Sequence, residues 1–135
     1  MKKTAVVYWS GTGNTEAMAK AVAKGANAHL FTAAEFAGDM ADSFDAIAFG
    51  CPAMGAEELE DSEFAPMFEA CKPALKGKKI ALFGSYDWGD GEWMRTWAAE
   101  CEELGAVMAA DFVICNNTPD ESGLAACEAL GKALI

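Results

Sequence analysis

Basic side chains are scarce in this 135-residue chain. Lys and Arg number 10 against 21 Asp and Glu, a formal charge of −11. A surface of that sign repels phosphate backbones and anionic headgroups, which excludes nucleic acid and anionic membranes as partners and favours a basic protein surface. Long apolar runs are lacking too: no stretch approaches the roughly twenty apolar residues of a bilayer span. The apolar segment behind Met1-Lys2-Lys3 is short, runs into glycines and has no cleavage-site pattern, so no signal peptide is expected. Histidine is nearly absent, with His29 the one example. The five cysteines, at 51, 71, 101, 115 and 127, are odd in number and form no CxxC pair, so neither a disulfide framework nor a Cys–His nucleophile nor a metal cluster is expected. Each sits in an apolar pattern, the usage of a reduced, cytoplasmic protein whose cysteines fill core space. Repeats, low-complexity tracts and linkers are missing as well, and with 53% hydrophobic residues the chain is expected to form one domain over 1–135.

What is present is organised around Ser10-Gly11-Thr12-Gly13-Asn14-Thr15. Thr4–Trp9 before it is apolar, β-branched and aromatic, as in a buried strand. After it Ala17, Met18, Ala21 and Val22 recur at helical spacing, with Lys20 and Lys24 on the opposite face and Gly25 as the expected stop. The six residues are therefore a strand-to-helix turn. They aim backbone N–H groups, a helix N-terminus, three hydroxyls and one amide at one spot that suits an anion. A Walker-type loop requires lysine at the helix start and the dinucleotide fingerprint a third glycine; Asn14 and Glu16 meet neither condition. A phosphate gripped by neutral donors alone is held and not cleaved. The alternative is a glycine-rich turn that only connects two elements.

Further along, 28–32 reads as a second strand, 33–43 as a poor helix or irregular crossover, and Ala46–Gly50 as a third strand ending at Cys51-Pro52. A helix from Ser62 presents Phe64, Met67, Phe68, Cys71 and Leu75 to the core, with Pro66 in its first turns. Lys79–Gly84 is the fourth strand. Glu92–Leu104 is a helix with Trp93, Trp97, Cys101 and Leu104 on one stripe and Gly105 as its end. Residues 107–115 hold a fifth strand interrupted near Ala110-Asp111, and Thr118-Pro119-Asp120-Glu121 reads as a capping box opening the last helix. Strands alternating with helices predict an α/β fold, a doubly wound five-stranded parallel sheet of buried strands with helices on both faces.

Ligands of such sheets bind beyond the carboxyl ends of the strands, and three loops there carry unusual chemistry: 10–15, 51–61 and 85–92. Met54 and Gly55 stand in an otherwise exposed stretch, and Tyr86 and Trp88 lie among flexible glycines. A flat ring with Trp88 on one face and polarizable Met54 on the other explains both. Simple packing of Met54 and Trp88 onto the sheet edge is the alternative.

The runs Tyr8–Thr15, Gly50–Leu59 and Phe83–Trp93 resemble, in order, the motifs of short-chain flavodoxins, and the resemblance spans nearly the whole chain. It implies the flavodoxin-like strand order 2-1-3-4-5 and FMN as cofactor, with the site's place taken from that fold and not from these residues. It further implies that Ser10, Thr12, Gly13, Asn14 and Thr15, with Gly11 among them, hold the FMN 5′-phosphate. Met54, Gly55, Ala56 and Glu57, following Pro52 and Ala53, would lie along the N5 edge and one ring face, with the Glu57 carboxylate accepting from N3–H. Trp88 would stack on the other face, and the N–H groups of Asp87 and Gly89, after Ser85 and Tyr86, would approach the pyrimidine oxygens. The implied work is low-potential one-electron transfer between the semiquinone and hydroquinone states, from a reductase or low-potential donor to an acceptor enzyme; the lack of an obvious exposed apolar stripe in the sequence makes a monomer the expectation. Asp87 and Ala56 depart from the pattern, which often has glycine and a polar residue there.

If Met54–Glu57 forms a four-residue turn, Ala56 resists positive φ and favours the geometry with Gly55 left-handed. Glu57, Glu58, Glu60, Asp61, Glu63, Asp87, Asp90 and Glu92 belong to loops or helix starts near the proposed ring, and Arg95 is the nearest opposing charge in sequence. The enzyme alternative on the same fold is an FMN-dependent NAD(P)H oxidoreductase, which needs the place Trp88 would take. A phosphoacceptor receiver needs acids after the first strand, where Trp9-Ser10-Gly11 stands instead. A noncatalytic ligand-binding module completes the alternatives.

Overall fold

The computed structural model describes residues 3–135; Met1 and Lys2, the start of the expected non-signal segment, lie outside them. β1 (Thr4–Tyr8), β3 (Ala46–Gly50) and the first half of β4 (Lys79–Tyr86) lie side by side in parallel register, Val6 beside Ala48 and Ala48 beside Ala81. β2 (His29–Thr32) flanks β1, and β5 (Val107–Met108) flanks the start of β4. The order is β2-β1-β3-β4-β5, with β6 (Val113–Asn116) pairing the far half of β4. The expected topology is therefore present, and the fifth strand position is occupied by two short pieces broken around Ala110-Asp111.

Alternation along the central strands sorts the core onto two faces. Ala5, Val7, Ile47, Phe49, Ile80 and Leu82 meet the 3-10 turns Ala33–Glu35 and Gly38–Ser43, α2 (Phe64–Cys71) and α3 (Glu92–Glu103). Val6, Tyr8, Ala48, Ala81 and Phe83 meet α1 (Asn14–Ala26) and α4 (Glu121–Lys132). The first face is aromatic: Phe49, Phe64, Phe68 and Trp97 meet edge to face at centroid distances of 5.2–5.6 Å. On the second face α1 and α4 approach each other closely, at Gly25 and Gly131.

That approach corrects one expectation. Gly25 does not end α1, which continues to Ala26 and stops at left-handed Asn27 (φ 52°). A Cβ on Gly25 would overlap the Glu128 carbonyl oxygen, and one on Gly131 the Val22 carbonyl oxygen, so both glycines serve helix contact. The last helix is also capped differently. Asp120, not Thr118, is its N-cap, accepting from the Gly123 N–H at 2.8 Å, so Pro119 precedes the helix and is not its first residue. Nor are all the strands buried: β1 and β3 are enclosed throughout, whereas His29 and Leu30 of β2 and Val107 of β5 are exposed, as edge positions must be.

Cys51, Cys71, Cys101 and Cys127 have no exposed surface, and burial pushes their thiols up to about 12, 11, 12 and 12. They behave as small hydrophobes, as expected. Among the described residues no helix is long and apolar enough to cross a membrane.

Candidate functional site

β1, β3 and β4 end at one edge of the sheet, and the loops that follow them enclose an open cleft of about 230 Å³. One wall is Gly11, Thr12, Asn14 and Thr15 at the start of α1. The other walls are Pro52, Ala53 and Met54 after β3, and Ser85, Tyr86 and Asp87 at the end of β4. The three loops singled out in sequence thus meet, although β4 runs two residues past its expected end and carries Ser85 and Tyr86 as strand residues paired with Cys115 and Asn116.

The turn before α1 is organised by its own hydroxyls. Ser10 Oγ accepts from the Gly13 N–H at 3.0 Å and Thr12 Oγ1 from the Asn14 N–H at 3.4 Å, while Gly13 takes φ 95° as the helix N-cap. Glycine holds that conformation without the Cβ penalty. Not all donors point to one spot. Thr15 is 1% exposed and its Oγ1 lies 2.8 Å from Ser85 Oγ, also accepting from the Ser85 N–H at 3.3 Å. Thr15 therefore ties the turn to β4. Ser10 and Gly13 line a second hollow beside the turn, formed with Tyr8, Glu16, Thr32 and Glu63.

The loop after β3 is a tight hairpin. Met54 and Glu58 exchange both backbone hydrogen bonds at 2.8 Å around Gly55-Ala56-Glu57. Positive φ falls at Gly55 (51°) and at Glu57 (56°), and Ala56 is not left-handed. The expected turn over Met54–Glu57 is thus replaced by a wider one closed at Glu58, and the residue that bears strain is Glu57, at about 1 kcal/mol. The Glu57 carboxylate reaches across to the next loop, where Oε1 accepts from the Asp90 N–H at 3.2 Å. A Cβ on Gly89 would overlap that same oxygen.

The root of this loop holds a residue whose role the charge pattern hid. Glu60 is 5% exposed, and its carboxylate accepts from the Glu63 and Phe64 N–H groups and from the N–H of Ser62, all at 2.8 Å, and from the Ser62 hydroxyl. Burial alone would raise its pKa, but these hydrogen bonds outweigh it and hold the carboxyl at about 2. Glu60 anchors the start of α2 and is no part of the exposed acidic rim. A glutamate just before a helix start is the sequence signal that could have marked it.

Met54 (36% exposed) and Trp88 (56% exposed) stand at the tips, so packing onto the sheet edge does not account for them. Gly55, Ala56, Glu57, Trp88 and Gly89 lie beyond the cleft lining proper, on the rim. Two lining residues were not expected there, Trp9 and Asn117. Trp9 follows directly on β1, its backbone N–H donating to the Gly50 carbonyl at 3.0 Å and its Nε1–H to Glu63 Oε1 at 3.0 Å. Asn117 is left-handed (φ 56°), and its N–H donates to the Tyr86 carbonyl at 2.7 Å. An asparagine pair after a strand, tolerant of that conformation, was the available signal.

A parallel sheet with a neutral-donor turn after its first strand and a cleft at the β1/β3 edge defines the doubly wound proteins that hold phosphorylated cofactors at the strand-order switch. Within that class the comparison is specific. Residues 6–131 match the family model described as Flavodoxin. The chain is 47% identical to a flavodoxin of Megasphaera elsdenii over 133 residues, 95% of each chain. It is 43% identical to one of Clostridium beijerinckii, over 87% of this chain and 88% of that one. Among solved structures, that of two-electron reduced Megasphaera elsdenii flavodoxin superposes with a TM-score of 0.85 at 46% identity, covering 97% of both chains. The chain belongs to the flavodoxin family, whose members bind FMN and pass electrons to and from redox partner proteins.

Proposed function

We propose that this chain is a low-potential one-electron carrier with non-covalently bound FMN, shuttling between the semiquinone and hydroquinone states. One observation carries the reading: three loops at one sheet edge enclose a cleft with neutral donors at one end and exposed Met54 and Trp88 at the other. The residues fit the group. Ser10, Gly11, Thr12, Gly13, Asn14 and Thr15 would hold the phosphate through hydroxyl, amide and backbone N–H donors with no cation among them. Pro52, Ala53, Met54, Gly55, Ala56 and Glu57 would border one face and edge of the ring, and Ser85, Tyr86, Asp87, Trp88 and Gly89 the other. When bound, FMN supplies the one-electron chemistry.

The chain's own part is to grip, stack and set charge. Glu58, Asp61, Asp87, Asp90 and Glu92 are exposed around the tips. Their field opposes added negative charge and so lowers the second reduction potential more than the first. The same field favours basic-surfaced partners, a reductase or low-potential donor and an acceptor enzyme, with association slowing as salt rises. We further assign a cytoplasmic monomer of one domain, with neither nucleic acid nor membrane as partner.

The test is titration of the purified protein with FMN, followed by anaerobic reduction watched by visible absorption. Saturable micromolar or tighter binding, with long-wavelength absorbance rising and falling around half-reduction, is expected. A protein that stays colourless at micromolar FMN overturns the reading, and rapid NAD(P)H oxidation without a reductase would make it an oxidoreductase instead.

A further inference from the structure

The turn between β4 and α3 is held at one residue. Asp90 donates its N–H to Glu57 Oε1 at 3.2 Å, and its carbonyl oxygen and Oδ1 accept from Nη1 and Nη2 of Arg95, both at 3.0 Å. Among the described residues, Asp87, Trp88 and Gly89 make no hydrogen bonds of their own, so these three bonds are what ties residues 87–90 to the protein. The turn contains one left-handed glycine, Gly89 (φ 88°), and is followed by another, Gly91 (φ 95°), conformations that glycine holds without a Cβ penalty. Arg95 lies in the second turn of α3, whose neighbours Trp93, Met94 and Trp97 are buried, so the guanidinium projects from a rigid base.

An exposed ion pair is ordinarily worth little, and Arg95 and Asp90 are 54% and 79% exposed. This one is a fork. Two N–H groups grip one residue at two atoms, and one of those atoms is an uncharged backbone carbonyl whose bond salt does not screen in the same way. A lysine could supply the charge at this position but not the two-point geometry.

We propose that Arg95 is a positioning residue of the cofactor site: through Asp90 it fixes the 87–91 turn, and with it the Trp88 ring and the Glu57 carboxylate, against the cleft. The inference rests on the FMN reading above and adds to it a residue outside the three motif loops.

The experiment measures FMN affinity and release rate, with thermal stability alongside, for wild type, Arg95→Met, Arg95→Lys, Asp90→Ala and the Arg95→Met/Asp90→Ala pair. Both Arg95 variants are expected to weaken FMN binding about tenfold, mainly through faster release, with a melting temperature close to wild type. Asp90→Ala, which leaves the carbonyl acceptor in place, should lose less than Arg95→Met, and the double variant should bind no worse than Arg95→Met, because the carboxylate it removes already has no guanidinium partner. Wild-type affinity in Arg95→Lys with a loss in Arg95→Met would assign the effect to charge and overturn the proposal, as would additive losses or unchanged binding in every variant. A wild type that refuses FMN would overturn the cofactor reading and this inference with it, a result visible before any variant is made.

Discussion

The roots and the tips of the three loops differ in kind although a few residues separate them. At the roots, Thr15 is joined to Ser85, Glu60 accepts from the first N–H groups of α2, and Trp93 Nε1 donates to the Cys51 carbonyl at 3.2 Å, all out of water. At the tips, Gly55, Glu57, Gly89 and Gly91 are left-handed, Met54 and Trp88 are exposed, and single charged side chains make the ties. A buried bond is costly to break because its partner is left unsatisfied, whereas an exposed one is replaced by water. The roots therefore carry stability and the tips carry what touches a ligand, so substitutions should separate the two properties.

The largest effect is expected at a root. A Cβ on Gly84 would overlap the Cys51 carbonyl oxygen and come within 3.1 Å of the Trp93 ring, so Gly84→Ala should cost about 3 kcal/mol in a denaturant titration. Next is Glu60→Gln, which exchanges a carboxylate for an amide with fewer acceptor sites and should cost about 2 kcal/mol at neutral pH. The pH dependence fixes its sign. The Glu60 carboxyl titrates near 2 in the fold against its usual 4.5, so its contribution is complete above about 4.5 and is lost as pH falls toward about 2. Acid unfolding of the glutamine variant should be correspondingly flatter over that window, and equal steepness would argue that folding does not shift the Glu60 carboxyl.

At the tips the readout changes. Trp88→Ala should leave the melting temperature nearly unmoved and weaken FMN binding by about 1 kcal/mol, measured by flavin fluorescence. A large stability loss with intact affinity would invert the contrast between roots and tips. Smallest is Asp87→Asn, which removes one carboxylate from the rim and should raise the second one-electron potential by about 40 mV at most, the first by much less. Equal shifts in both would contradict an electrostatic origin.

The three loops that meet at the cleft stood out in sequence because large apolar side chains such as Met54 and Trp88 are unusual in glycine-rich loops after strands, where glycine and hydroxyl residues are common. What failed to read were residues whose meaning depends on a distant partner. Gly25 carries the local signature of a helix end, yet its missing side chain admits the Glu128 backbone. Glu60 looks like one acid in an acidic run, yet it alone among Glu57, Glu58, Glu60 and Asp61 is buried. Gly55 is left-handed and Ala56 is not, as the turn chemistry suggested, but the Met54–Glu58 pairing widens the hairpin and adds a second left-handed residue at Glu57.

By itself the amino-acid order determined the elements, their alternation and the loops in which polar and aromatic groups gather, because hydrophobic periodicity and turn chemistry act over a few residues. Only the tertiary structure decided which hydroxyl is buried, which glutamate anchors a helix and that Arg95 clasps the turn beside Trp88. Those outcomes depend on groups brought within hydrogen-bond reach from positions up to 70 residues apart, as Thr15 and Ser85 are.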